Sequence, residues 1–306
     1  MGTELVDPRA SVRAYLEAEK ADGTRRAYKS DWADFSTWCV TFNLISMPAT
    51  PIAVATYLAK LADDGKKAAT IQRRIAAIRA VHLAAGHEPP TNSEGVKATM
   101  RGIRRKLGTQ QTRKAPATAQ VIANLTFPDT LAGLRDRALV LLGFAAALRR
   151  SELVAIDLAD ITIRPKGLVL HIGHSKTDQE GFGCDIPVPR GNALKPVAAI
   201  EAWLEAAGIK EGPIFRNVDR HGRISAGALT DGSVARIVKK VLWAAGIDPK
   251  TFSGHSLRAG FVTSALDGNV DNFRIMRITR HKKVDTLRIY DRRDNDFDDH
   301  AGGEFL

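Results

Sequence analysis

Residues 108–118, GTQQTRKAPAT, carry no apolar periodicity, and the patterns on their two sides differ in kind. That break constrains the fold more than any other feature. A chain of 306 residues can bury two separate cores, so a patternless stretch about a third of the way along reads as a linker. The expected organisation is residues 1–107, a linker at 108–118, and residues 119–306.

Everything before the linker reads as helix. SVRAYLEAEKADG predicts a short helix ending near Gly23. TRRAYKSDWADFSTWCVTFN predicts a second one, capped by Thr24, with Tyr28, Trp32, Phe35 and Cys39 along one face. TPIAVATYLAKLADDG puts Thr50 at an N-cap and Pro51 at the first helical position. KAATIQRRIAAIRAVHLAAG aligns Ile71, Ile75, Ile78 and His82 and stops at Gly86. Such stripes are core packing. Beyond the linker, helices are expected at TAQVIANL and LRDRALVLLGFAAALRRSELVAI. Strand-like runs follow at ITI, GLVLHI and residues 184–189, and helices return at LKPVAAIEAWLEAAG, GSVARIVKKVLWAAG and SLRAGFVTSALDGN. The pattern predicts two domains, mainly α, with a small sheet in the second.

Charge narrows the partner. The formal net charge is +11, which favours a polyanion such as nucleic acid or an anionic membrane face. Arg25, Arg26, Lys29, Arg73, Arg74 and Arg79 lie off the apolar stripes, and residues 94–114 hold one acid against seven bases, among them Arg101, Arg104, Arg105 and Lys106. One basic helix face is ordinarily a solvated face. Several in one domain point to a phosphate backbone. Cys39 and Cys184 form no metal-ligand or redox spacing and read as reduced thiols. Glu4, Asp7 and Arg9 stand where a signal peptide would be apolar, and the longest apolar run, residues 138–148, is too short to span a bilayer. A cytoplasmic protein is expected.

The residues that could do chemistry fall in the second domain. Arg149 and Arg150 follow a buried run, with Glu152 just beyond; the bland reading is a salt bridge. Lys176 lies between two strand-like runs, where a hairpin lysine ordinarily serves solubility. His255 and Arg258 sit one turn apart at the start of a helix, a weak signal by itself. His281 and Tyr290 close the series. Two arginines can bind a phosphate through their planar forks and offset the charge of a pentacoordinate phosphorane. A tyrosine needs a base and a polarised phosphate to act as nucleophile, and a lysine or histidine can protonate the leaving alkoxide. Together these groups suit phosphoryl transfer through a phosphotyrosyl intermediate, with no metal and no cofactor.

In order and context, Arg149, Lys176, His255, Arg258, His281 and Tyr290 resemble the pattern of the tyrosine recombinase (phage integrase) family. HIGHSKT, SGHSLRAG, TWC at 37–39, TIQRRIAAIRAVHLAAG and MRGIRRK are similar to its Cre-like site-specific recombinases. The resemblance spans nearly the whole chain. It implies a helical core-binding (SAM-like) domain and an α-rich catalytic domain with a small antiparallel sheet, the DNA breaking-rejoining fold. The two domains would close as a clamp on double-stranded DNA, and a homotetramer would exchange strands through a Holliday junction.

The same resemblance implies that Arg149 and Arg258 clamp the scissile phosphate and that His255 is the acid/base. Lys176 would protonate the 5′-oxygen, His281 would hydrogen-bond the phosphate, Tyr290 would be the nucleophile, and Glu152 would give support. Two departures stand out. Arg280 occupies a position where many relatives have a small residue, and it would add a phosphate contact or reshape the pocket. The sixteen residues after Tyr290 are short, acidic and interrupted by glycine, with Phe297, Phe305 and Leu306 as the apolar docking candidates. The positions resembling the base-reading helix lie in TDGSVARIVKK, whose side chains do not give the target sequence. Two other classes compete: a DNA-binding clamp without catalysis, which would form no covalent bond to DNA, and a metal-dependent relaxase or nuclease, which EDTA would stop. A topoisomerase or hairpin-forming resolvase shares the tyrosine chemistry.

Overall fold

The structure is a computed structural model that describes residues 22–109, 114–173, 183–288 and 290. It divides into two compact units, Met1–Thr112 and Arg113–Leu306. Among the described residues no helix is long and apolar enough to cross a membrane.

The first unit holds four α-helices among its described residues: α1 (Asp22–Thr41), α2 (Pro51–Asp63), α3 (Ala68–Ala84) and α4 (Glu94–Leu107). Phe35 and Cys39 of α1 are fully buried and are joined by Trp38, while Tyr28 and Trp32 of the expected stripe are half-buried. Full burial of a side chain such as Phe35 contributes about 1.5–3 kcal/mol by leaving water. Thr50 caps α2 as expected, its hydroxyl accepting from the Ala53 amide, with Pro51 in the first turn. Thr24 and Gly23 do not mark ends, because both lie within α1. His82 is a core histidine: Nδ1 donates to the Ile78 carbonyl and Nε2 accepts from the Ala49 amide.

The second unit contains α5 (Ala119–Ala123), α6 (Leu131–Ala145), α7 (Arg150–Ala155), strands β1 (Ile161–Arg164), β2 (Gly167–Ile172) and β3 (Cys184–Pro189), then α8 (Pro196–Ala207). It continues with β4 (Arg216–Val218), β5 (Ile224–Ala228), α9 (Asp231–Ala244), α10 (Ser256–Asp267), α11 (Asn272–Thr279) and α12 (Asp285–Arg288). Strands β1, β2 and β3 pair antiparallel in that order. Leu168 faces Val188 and Leu170 faces Ile186, so the period-two side chains of β2 and β3 enter the core together. Helix α6 is buried over most of its surface and packs against α8 and α10.

Three expectations change. The single helix expected across LRDRALVLLGFAAALRRSELVAI is two, because Ala147 adopts φ +48° and the chain turns before α7. The second half of the linker segment is not free connector: the Ala115 amide donates to the Thr251 carbonyl, the Ala117 amide donates to the Ser256 carbonyl, and Ala117 is buried. Gly260 of α10 permits that approach, since a Cβ there would lie 1.8 Å from the Ala117 oxygen. The hairpin β4–β5 was not expected at all. Its strands are short and mostly solvent-facing, so they carry no alternating pattern.

Candidate active site

The turn after α6 and the starts of α7 and α10 converge with the end of α11 on one cluster of arginines. Because Ala147 ends α6, Arg149 becomes the N-cap of α7 and not a residue inside a helix. Its amide donates to Glu152 Oε2 at 2.8 Å and its Nη1 donates to Oε1 at 2.6 Å. Glu152, 5% exposed, also accepts from Arg280 Nη2 at 2.7 Å through Oε2. Burial alone would raise its carboxyl, but Arg280 and Arg149 outweigh that and hold it below the usual carboxylate range.

Arg258 of α10 is 2% exposed. Its Nη1 donates to the Ala147 carbonyl at 2.6 Å, and its Nη2 donates to the Thr279 carbonyl and to His281 Nε2, the latter at 3.1 Å. Burial, with Arg149 and Arg280 nearby, lowers its pKa to about 10, so it remains a cation at neutral pH. The Thr279 hydroxyl spends its hydrogen on the Ile275 carbonyl and therefore accepts from His281 Nδ1. These bonds fix a neutral ring with hydrogen on Nδ1. Burial and then the charges of Arg258, Arg149 and Arg280 lower the His281 pKa to about 4.

Tyr290 follows α12, its amide donating to the Leu287 carbonyl at 2.8 Å. Its ring packs on the small apolar cluster of Val262, Leu266, Ile275 and Leu287, and its centroid lies 5.9 Å from that of His281. His255 is exposed at the N-cap of α10, close enough to His281 to disfavour a second positive charge there. The structure thus brings Arg149, Glu152, His255, Arg258, Arg280, His281 and Tyr290 into one neighbourhood. Lys176 lies outside the described residues, as do Tyr15, Phe297, Phe305 and Leu306. Among the described residues no three His, Cys, Asp or Glu side chains gather in a metal-ligating group.

Sequence reasoning missed Thr279 and the Ala147 carbonyl, which together orient Arg258 and His281. A threonine directly before a candidate arginine–histidine pair was a usable signal. A carbonyl exposed by a helix end gave none.

The sequence pattern described as Phage integrase family matches residues 117–296, and that described as Phage integrase, N-terminal SAM-like domain matches residues 13–88. The chain belongs to the phage integrase family. An integrase/recombinase xerD homolog of Selenomonas ruminantium is 44% identical over 94% of this chain and 86% of its own length. A tyrosine recombinase of Synechococcus elongatus is 30% identical over 94% of this chain and 89% of its own. The tyrosine recombinase XerC of Syntrophus aciditrophicus is 28% identical over 90% and 88%. The Tn1549 transposon integrase in complex with transposon right end DNA is similar with a TM-score of 0.65, at 13% identity over 92% of each chain. A lambda integrase dimer bound to a COC′ core site gives 0.60, at 18% identity over 93% of this chain and 77% of that one. At such identities these structures speak for the fold, mainly helical with small antiparallel sheets. The named relatives lend no weight to the narrower likeness to Cre.

In this phage integrase family member the expected DNA-contacting residues fall into two sets. Arg25, Arg26, Lys29, Arg101, Arg104, Arg105 and Lys106 are exposed, although Arg101 pairs with Glu94 and Arg104 donates to Gln72. Arg73 and Arg74 are engaged inside the first unit. Arg73 grips Asp31 with two bonds at 2.7 and 2.9 Å, and Arg74, its side chain 13% exposed, bonds Asp34 and the Tyr57 hydroxyl. Those carboxylates compete with any phosphate for the same donors. Arg280, expected as a DNA contact, sits on Glu152.

Proposed function

We propose that this phage integrase family member is a site-specific DNA recombinase, and that Tyr290 attacks a DNA phosphodiester. The Tyr290 oxygen forms a bond to phosphorus as the bond from phosphorus to the 5′-oxygen breaks, leaving a 3′-phosphotyrosine and a free 5′-hydroxyl. His255 takes the tyrosine proton, and Lys176 gives a proton to the leaving oxygen. Arg149 and Arg258 hold the phosphate and oppose the extra negative charge of the phosphorane. His281, whose two ring nitrogens are taken by Thr279 and Arg258, holds the Arg258 guanidinium in place instead of donating to the phosphate as the resemblance implied, and Glu152 positions Arg149. The new ester retains the energy of the broken bond, so a 5′-hydroxyl from a second site can reverse the step and rejoin strands without ATP.

The observation that carries this reading is Tyr290 packed beside His281 and the buried Arg258. Two sites with inverted-repeat arms, held by four copies of the chain, would exchange strands in pairs through a Holliday junction. Residues 1–107 would form the core-binding domain and 119–306 the catalytic domain, acting together on double-stranded DNA in the cytoplasm. The relatives' names, and the DNA in the similar solved structures, support a DNA substrate.

The test uses nicked DNA fragments from either side of the protein's own gene, in EDTA and without ATP. The wild type is expected to leave an SDS-resistant protein–DNA band that Tyr290→Phe does not. A band from both proteins would show that Tyr290 is not the nucleophile. Binding without any band would favour a clamp that has no catalysis.

A further inference from the structure

Arg280 is placed as few arginines are. Helix α11 ends at Thr279, and residue 280 turns the chain with φ +59°, a conformation glycine adopts most readily. Here the position carries a long cationic side chain that is only 10% exposed. One nitrogen, Nη2, donates to Glu152. The other two, Nε and Nη1, are buried and have no hydrogen-bond partner among the described residues. A guanidinium keeps its charge and all five donors, so two buried nitrogens with nothing to bond are costly unless another molecule takes them.

The neighbours say what that molecule carries. Both oxygens of Glu152 are engaged: Oε1 accepts from Arg149, and Oε2 accepts from the Arg149 amide and from Arg280. One carboxylate therefore faces Arg149 and Arg280, with Arg258 beside them. Arg280 and Arg149 both act on the charge of Arg258, and all three disfavour a proton on His281. Among the described residues, three guanidinium groups stand against one carboxylate, an excess of positive charge in a buried place. That excess matches an anion whose charge grows during reaction, and a phosphodiester becoming a phosphorane is such an anion.

We propose that Arg280 is a third arginine of the phosphate site, bracing Glu152 through Nη2 while its unpaired Nη1 donates to a non-bridging oxygen of the scissile phosphate. This rests on the recombinase reading above. It differs from a purely structural role, in which Arg280 would only hold Glu152 and, through it, Arg149.

The two roles separate on uncharged DNA. Single-turnover covalent-complex formation would be measured on nicked fragments with either an ordinary phosphodiester or a methylphosphonate at the scissile position. Wild type, Arg280→Gln and Arg280→Lys would be compared. Arg280→Gly, which suits the positive φ, serves if the glutamine variant does not fold. On the phosphodiester, Arg280→Gln is expected to slow cleavage by roughly 10²-fold, the loss typical of one oxyanion donor. Its non-covalent DNA binding should change little, and Arg280→Lys should fall between it and the wild type. On the methylphosphonate the glutamine variant should come close to the wild type, because the charge it failed to oppose is gone. An equal loss on both substrates would reduce Arg280 to a brace and overturn the proposal, and so would no loss on either. If the wild type itself forms no covalent complex on any fragment it binds, the recombinase reading fails and this inference falls with it. That outcome is recognisable because the wild type is then the protein that fails.

Discussion

Each unit of this protein has a cluster of arginines, carboxylates and one tyrosine, and the two clusters are balanced differently. In the first unit Arg73 and Arg74 face Asp31 and Asp34, two charges against two, and Tyr57 donates to Asp34 at 2.5 Å. Burial and that bond to Asp34 push the Tyr57 hydroxyl well above its ordinary value, outweighing the opposite pull of Arg74. Its oxygen is held as a donor and is unsuited to attack. In the second unit, among the described residues, Arg149 and Arg280 share one carboxylate, Glu152, with Arg258 beside them, and Tyr290 lies beside a neutral His281. The first arrangement is complete in itself. Among the described residues, the second is short of negative charge. Arginines near a tyrosine are thus no signature of catalysis on their own; the unbalanced charge is what points to an anionic substrate.

The largest expected effect breaks the comparison at its tyrosines. Tyr290→Phe should abolish covalent attachment to DNA on denaturing gels, while Tyr57→Phe should leave it near the wild-type level. Next come the arginines. Arg258→Ala should slow single-turnover cleavage by roughly 10²–10³-fold, as expected when a preorganised donor to a developing oxyanion is removed. Arg74→Gln should leave the rate constant of the covalent step unchanged. It should instead lower the stability of the first unit by about 1–2 kcal/mol in urea unfolding, because it leaves Asp34 and Tyr57 less well bonded.

Smaller effects sharpen the contrast. The His281 pKa falls from an ordinary 6.5 to about 4 in the fold, so the unfolded chain binds its proton first. The stability gained by keeping the ring neutral is therefore present above pH 6.5 and is lost progressively as pH falls toward 4. Stability of the second unit in thermal unfolding should rise with pH between those values, and His281→Gln should flatten that rise. The smallest expected change is in salt dependence. Replacing exposed Arg105 or Lys106 with alanine should lower the slope of log affinity against log salt by about 1 for each DNA phosphate that is no longer neutralised. Arg73→Ala should change it less, because its donors already serve Asp31.

Much of this was legible along the chain. Threonine followed by proline at 50–51 gave a helix start, and alternation in GLVLHI and at 184–189 gave two paired strands. Six residues of four types, in order, named the candidate site, and the structure brings five of them together, Lys176 lying outside the described residues. Other features depend on three-dimensional contacts that no local pattern records. Ala147 takes its positive φ without a glycine to announce it, and that turn is what places Arg149 at a helix start. Ala115 and Ala117 are too small to show an apolar stripe, so the strap they form on the second unit has the sequence of a linker. Glu152 and Arg280 meet across most of the catalytic unit's length in sequence. Arg73 and Arg74 have the spacing of a basic helix face because their acidic partners lie on another helix, α1.

The most direct question is which tyrosine carries DNA. The covalent complex would be digested with nuclease and trypsin, and the modified peptide sequenced by mass spectrometry. The charge imbalance around Arg258 predicts a nucleotide mass on Tyr290 and none on Tyr57. A nucleotide on Tyr57, or on any residue other than Tyr290, would contradict it.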